Sequence, residues 1–139
     1  MSTQTHGYSL TRELDAPVAN VWRVWTQPSD YEQWAYAVPG SVELDVRVGG
    51  AWKALMQAPD GGQFPLTGSY REVAENQRLV MAMDIPGAEP ALMNLELEDL
   101  DGKTRITLSQ ECGTAEERDQ AEQGSNMLLD SCTAYVEKL

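Results

Sequence analysis

The residues of this chain best equipped to recognise a ligand are aromatic, aliphatic and sulfur-bearing rather than charged. Trp34, Trp52, Met56, Tyr70, Met93 and Leu128 could line an interior cavity. Stacked aromatic rings and adaptable methionines suit flat apolar molecules. Plain core packing is the alternative use of the same side chains. Tyr36 and Tyr70 are candidate polar handles. A phenol inside a cavity requires a hydrogen-bond partner, and a ligand carbonyl would supply one.

Acid–base, nucleophilic and metal chemistry find little support. The one histidine, His6, lies near the amino terminus and is not expected to act as a base or a ligand. Two distant cysteines, Cys112 and Cys132, form no CxxC pair, so neither a zinc site nor a disulfide framework is expected. No Ser/His/Asp arrangement is available without an interior histidine. Glu96, Glu98 and Asp99 fall on the strand face opposite Met93, Leu95 and Leu97 and read as solvated. Glu43, Asp45 and Arg47 read as cross-strand surface partners. Gly49-Gly50 and Asp60-Gly61-Gly62 are turn glycines, since no Lys-Ser/Thr and no helix follow them as a phosphate cradle requires. The residues call for no cofactor.

Composition narrows the partners. The 139 residues carry a net charge of −12. Residues 1–83 hold 9 acids and 6 bases, and residues 84–139 hold 13 acids and 4 bases. Such a chain is repelled by nucleic-acid phosphates and by anionic headgroups. No apolar run reaches the roughly 20 residues of a membrane span, and the first residues lack the basic start and apolar stretch of a secretory signal. The expectation is a cytoplasmic protein of one domain, residues 1–139, with reduced cysteines and no nucleic-acid or membrane partner.

The elements that would position these residues follow from periodicity. Tyr8, Leu10 and Arg12–Leu14 make a first strand. Asp15-Ala16-Pro17 opens a helix, with an acid as cap and a proline in the first turn, and Val18, Val21, Trp22 and Trp25 form its apolar stripe. Gln27–Asp30 breaks it and starts a second, shorter helix carrying Tyr31 and Trp34. Val42, Leu44, Val46 and Val48 alternate with polar residues as a strand, and Gly49-Gly50 turn it into a second one holding Trp52, Ala54 and Met56 on one face. Further strands are expected over about 66–74, 78–84, 92–98 and 103–111, with turns at Pro86-Gly87 and Asp101-Gly102. Thr114-Ala-Glu-Glu117 is a capping box. The stripe Ala121, Ser125, Leu128, Cys132, Tyr135 and Leu139 then predicts one long helix over 115–139. A helix of roughly 37 Å with so narrow a stripe requires a long concave partner, which only the sheet supplies.

In this order the chain resembles the START-like superfamily (the SRPBCC or birch-pollen-allergen-like group), and within it the activator-of-Hsp90-ATPase-like family. The matching residues run from Arg12–Pro17 through Val21-Trp22, Trp34, Asp45–Trp52 and Met56 to Gly68–Val73. They continue through Arg78–Val80 and Asp101–Leu108 to Gly124 and Leu128–Asp130. The resemblance implies an α+β helix-grip fold: a curved seven-stranded antiparallel sheet wraps a long C-terminal helix, with two short helices between the first two strands and a cavity between sheet and helix. It also implies a small hydrophobic ligand, aromatic or lipid-like, bound without catalysis. The alternatives are a polyketide cyclase or aromatase, and a co-chaperone-like module with a chaperone partner. Family members commonly carry Gly-Trp early in the long helix, where this chain has Gly124-Ser125. Replacing that indole by a hydroxyl predicts an open, largely apolar pocket beneath Ser125, bordered by Trp52, Tyr70 and Leu128; the alternative is a collapsed core with Ser125 bonded to its own helix carbonyl.

Overall fold

A computed structural model describes residues 6–57, 60–84, 87, 90–112 and 114–138. Seven strands form one antiparallel sheet: β1 (His6–Leu14), β2 (Glu43–Leu44), β3 (Ala51–Gln57), β4 (Gln63–Ala74), β5 (Arg78–Met83), β6 (Ala91–Asp99) and β7 (Thr104–Cys112). Their order is β1-β7-β6-β5-β4-β3-β2. Two short helices, α1 (Val18–Thr26) and α2 (Pro28–Trp34), separate β1 from β2, and α3 (Ala115–Val136) follows β7. This is the helix-grip arrangement.

The sheet curves because its strands are irregular where they must bend. The register shifts between Tyr70 and Glu72, a β-bulge that strengthens local twist. Trp52 lies opposite Gly68 in the β3–β4 ladder. Its indole crosses β4 above that glycine and donates from Nε1 to the Ala82 carbonyl of β5, 3.2 Å away. A Cβ on Gly68 would meet the ring at 2.7 Å and the Ala82 oxygen at 1.9 Å, so only glycine fits beneath the indole.

The long helix begins as its capping box requires, with the Glu117 N–H donating to Thr114 Oγ1 at 3.1 Å. At 1.5 Å per residue its 22 residues span roughly 33 Å. Its buried stripe is Ser125, Leu129, Cys132 and Val136. Leu129 and Val136 take the inward places expected for Leu128 and Leu139; Leu128 is half-buried at the flank, and residue 139 lies outside the described residues. Four polar contacts fix the helix in its concave seat. Arg12 donates to Asn126 at 2.6 Å, Ser131 to the Trp34 carbonyl at 2.7 Å, and Tyr135 to Asp30 at 2.7 Å, while Tyr8 and Ser125 share a bond of 2.7 Å.

Three local expectations are corrected. The strand expected over Val42–Val48 pairs only at Glu43 and Leu44. Beyond them the Asp45 N–H donates to the Ala51 carbonyl, and Arg47 and Gly50 bond within the turn, so Val48 points into solvent. Gly50 is required there, because a Cβ would sit 2.0 Å from the Asp45 oxygen. Asp15 does not cap α1: the N-cap is Pro17, without a side-chain bond, and the Asp15 N–H instead reaches Glu137 at 2.9 Å. Within α1, Val24 is buried in place of Trp22. Of the Pro86-Gly87 turn, only Gly87 falls among the described residues, with φ +75°.

Candidate functional site

A groove of about 660 Å³ opens at one end of the sheet, between the chain after α2 and the outer flank of α3. It is lined by Ala35, Tyr36, Ala37, Met56, Gln57, Phe64, Gly124, Met127 and Leu128. Local backbone chemistry builds each wall. Ala37 forms a bridge to Met56. The Val38 N–H donates to Leu55, and the Gln57 N–H to Tyr36, both at 2.8 Å. The segment after α2 is thereby sewn to the free edge of β3. On the sheet, Met56 faces Phe64 across the β3–β4 ladder. On the helix, successive residues turn by 100°, which sets Gly124, Met127, Leu128 and Ser131 along one flank. A Cβ on Gly124 would touch nothing within 4 Å.

The rim is unusual for its exposed apolar surface. Tyr36, Phe64 and Met127 are 48%, 46% and 53% exposed. Tyr36 also holds φ at +59°, a left-handed conformation that is a genuine outlier for an aromatic residue. Strain of that kind survives where surrounding structure imposes it, and it concentrates at binding sites. Here the bond from the Gln57 N–H fixes the Tyr36 carbonyl, and Tyr36 lines the groove.

Of the eight residues expected at a ligand site, Tyr36, Met56 and Leu128 line this groove, and Trp34, Trp52, Tyr70, Met93 and Ser125 do not. Trp34 is buried in an edge-to-face cluster, its ring 4.7 Å from Trp25 and 5.1 Å from Tyr31, with Nε1 donating to the Val24 carbonyl at 2.9 Å. The i, i+3 spacing of Tyr31 and Trp34 in α2 turns both rings onto Trp25. Trp52 covers Gly68, as described. Met93 sits mid-sheet, paired with Met81 and Gln110. Ser125 faces inward, but Tyr8 fills the space beneath it. The Tyr8 hydroxyl donates to Gln110 Oε1 at 2.8 Å, so the Ser125 hydroxyl donates to Tyr8. The expected pocket under Ser125 is thus occupied by a phenol from β1.

Tyr70 is wholly buried, and its hydroxyl has no hydrogen-bond partner. Burial, with smaller contributions from Tyr31 and Asp45, pushes its ionisation far up, so it remains a donor at every physiological pH. Burial likewise raises Tyr31 to about 12 and Cys132 to about 12, the latter against an opposing contact from the Trp25 indole. Among the described residues Asp30 is the buried charge. Burial alone pushes its carboxyl up, yet hydrogen bonds from Arg23 and Tyr135 and the Arg23 charge outweigh it and hold the group below its ordinary range. Arg23 Nε lies 2.8 Å from Asp30 Oδ2. Among the described residues no cluster of His, Cys, Asp and Glu is arranged to hold a metal ion.

Phe64 and Met127 escape a periodicity argument. Phe64 precedes Pro65, which reads as a break before the strand, yet β4 begins at Gln63. Met127 lies off the buried stripe of α3. The signal that could have found it is a glycine inside a helix, Gly124, three residues before an exposed methionine.

The helix-grip architecture defines the class, and the comparisons specify it. Residues 15–137 match the family described as Activator of Hsp90 ATPase homolog 1-like protein, and the chain belongs to that family. Its structure is similar to that of a protein from Nitrosomonas europaea at 26% identity and TM-score 0.81, covering 95% of this chain and 94% of that one. A protein from Chromobacterium violaceum is 25% identical with TM-score 0.82, over 95% and 98% of the two chains. An AHSA1-like protein from Aeromonas hydrophila is 25% identical with TM-score 0.77, over 94% and 93%. No protein of curated function matches the chain. No helix among the described residues is long and apolar enough to cross a membrane.

Proposed function

We propose that this protein binds a small hydrophobic molecule, without catalysis, in the groove between β3–β4 and α3. The observation that carries the reading is the convergence of Tyr36, Phe64 and Met127, exposed and apolar, on one concavity that Gly124 keeps open. Exposed apolar patches of this kind mark ligand or partner sites, and the volume falls in the usual range for small-molecule pockets. A passive binder is favoured over a cyclase because, among the described residues, Tyr36 alone of those lining the groove has a titratable side chain. A chaperone-facing role is suggested by the family description alone. The net charge of −12 argues against nucleic-acid and anionic-membrane partners. The two free cysteines fit a reducing cytoplasmic setting for what we take to be a single domain.

Titration with uncharged flat aromatic compounds, followed by tryptophan emission, tests the reading. Saturable quenching is expected, since Trp34 directly precedes the groove-lining Ala35 in the chain. Met127→Asp should weaken it severalfold while leaving the melting temperature in place. A panel that quenches neither protein, or both equally, overturns the proposal.

A further inference from the structure

We infer that the groove selects its ligand by charge: its occupant is a small apolar molecule carrying no negative charge, and amphiphiles ending in carboxylate, sulfonate or phosphate are excluded. The inference rests on the ligand-binding reading above and adds the chemical class of the ligand.

The argument is a census of the cations. Among the described residues none of the ten Lys and Arg side chains lines the groove. Seven are held in ion pairs. Lys53, the base on the strand that carries Met56, points to the other face of the sheet and pairs with Glu43 at 2.7 Å. Arg12 is the base that grips α3, but on the opposite flank, through Asn126 at 2.6 Å and Asp130 at 3.8 Å. Arg23 is committed to Asp30, Arg47 to Asp45, Arg78 to Glu72 and Glu96, Arg105 to Glu13 and Glu98, and Arg118 to Asp119. Arg71 lies exposed on the outer face of β4, Lys103 in the β6–β7 turn and Lys138 beyond the end of α3.

The elements that build the groove bring acids instead. Glu32 belongs to α2, the helix that leads into the Tyr36–Ala37 wall, and its carboxylate accepts from the Gly40 N–H at 2.6 Å. Asp60 sits in the β3–β4 turn, past Gln57, accepting from the Gly62 N–H at 2.8 Å. An anion entering here would lose water without meeting a cation, inside the field of a molecule with net charge −12. Fields of this kind change the local concentration of a charged ligand by about tenfold or more. The one polar lining residue besides Tyr36 is Gln57, which is uncharged, so the lining as a whole suits a neutral ligand.

Two dyes with the same anilinonaphthalene body test this directly: N-phenyl-1-naphthylamine, which is neutral, and 8-anilino-1-naphthalenesulfonate, which is anionic. At low ionic strength the neutral dye should bind and the sulfonate should bind at least about tenfold more weakly, a gap that narrows in salt. Gln57→Lys should raise sulfonate affinity relative to the neutral dye by about tenfold. Gly124→Leu, which fills the groove, should abolish binding of the neutral dye without loss of folding. Equal affinity of the wild-type groove for both dyes, lost in Gly124→Leu, overturns the charge rule while leaving the groove a binding site. If the neutral dye fails to bind, or binds Gly124→Leu unchanged, the ligand-binding reading falls and the charge rule with it.

Discussion

At the scale of single residues, Tyr36 and Asp30 carry opposite kinds of stress, one in the backbone and one in charge. The left-handed conformation of Tyr36 costs about 1–2 kcal/mol, and glycine would remove that cost at an entropic penalty of about 0.5–1 kcal/mol. Tyr36→Gly should therefore melt within about 1 kcal/mol of the wild type, while losing severalfold in affinity for a neutral aromatic probe. A loss of about 3 kcal/mol or more, the range for truncating a core aromatic, would make Tyr36 a packing residue instead. For Asp30 the sign follows from its depressed carboxyl ionisation. The folded form binds fewer protons than the unfolded chain, so the stabilisation is complete above the ordinary carboxylate value of 3.8 and is lost as pH falls through the folded value. Asp30→Asn should be less stable at pH 7 by about 1–3 kcal/mol. Chemical denaturation at a series of pH values should show that difference shrinking below about pH 4. The sequence displays both residues plainly but not their circumstances. Nothing local announces that Tyr36 is left-handed, because a bond from Gln57, 21 positions later, imposes it.

At the scale of elements, the order of strands and helices was legible because each has a clear period and punctuation, and the family resemblance joined them into a fold. Where the structure departs from that pattern the cause is the same, the sharing of backbone bonds among distant segments. Val42–Val48 alternates like a strand, yet the backbone of Gly49 and Gly50 pairs with Tyr70 rather than continuing a turn of two residues. The buried stripe of α3 differs from the expected one chiefly in Leu129 for Leu128, because α2 and β1 decide which of the two turns inward. Ser125 and Gly124 are therefore neighbours with opposite tolerances. Ser125→Trp would drive an indole into the space of Tyr8 and should destabilise by about 1–3 kcal/mol. Gly124→Ala adds a methyl to open space within a helix and should stabilise by about 0.5–1 kcal/mol. Thermal melts of the two variants check both signs, and a destabilising Gly124→Ala would contradict the open flank.

At the scale of the whole molecule, charge is the dominant long-range force. With a net of −12, most of it in the last two fifths of the chain, repulsion opposes folding. The exposed ion pairs offset little, each contributing at most about 1 kcal/mol. Melting temperature at pH 7 should rise between about 10 and 200 mM sodium chloride as repulsion is screened. A fall would show that the surface pairs outweigh it. Composition alone made this level readable; what it left hidden was the spatial fact that the cations lie away from the groove.

The pairing of β1 with β7 sets an order in time. Leu14 lies opposite Thr104 and His6 opposite Cys112, partners about 100 residues apart. Every other ladder of the sheet joins strands adjacent in sequence. The meander from β2 to β7 can therefore form by short closures, whereas β1 must wait for a loop whose entropy only the finished meander can offset. On the contact-order argument, β1 is the strand of this sheet expected to find its neighbour last. The Tyr8 phenol bonded to Ser125 then ties this same β1 strand to α3, so the contact that holds the helix depends on the ladder of longest reach.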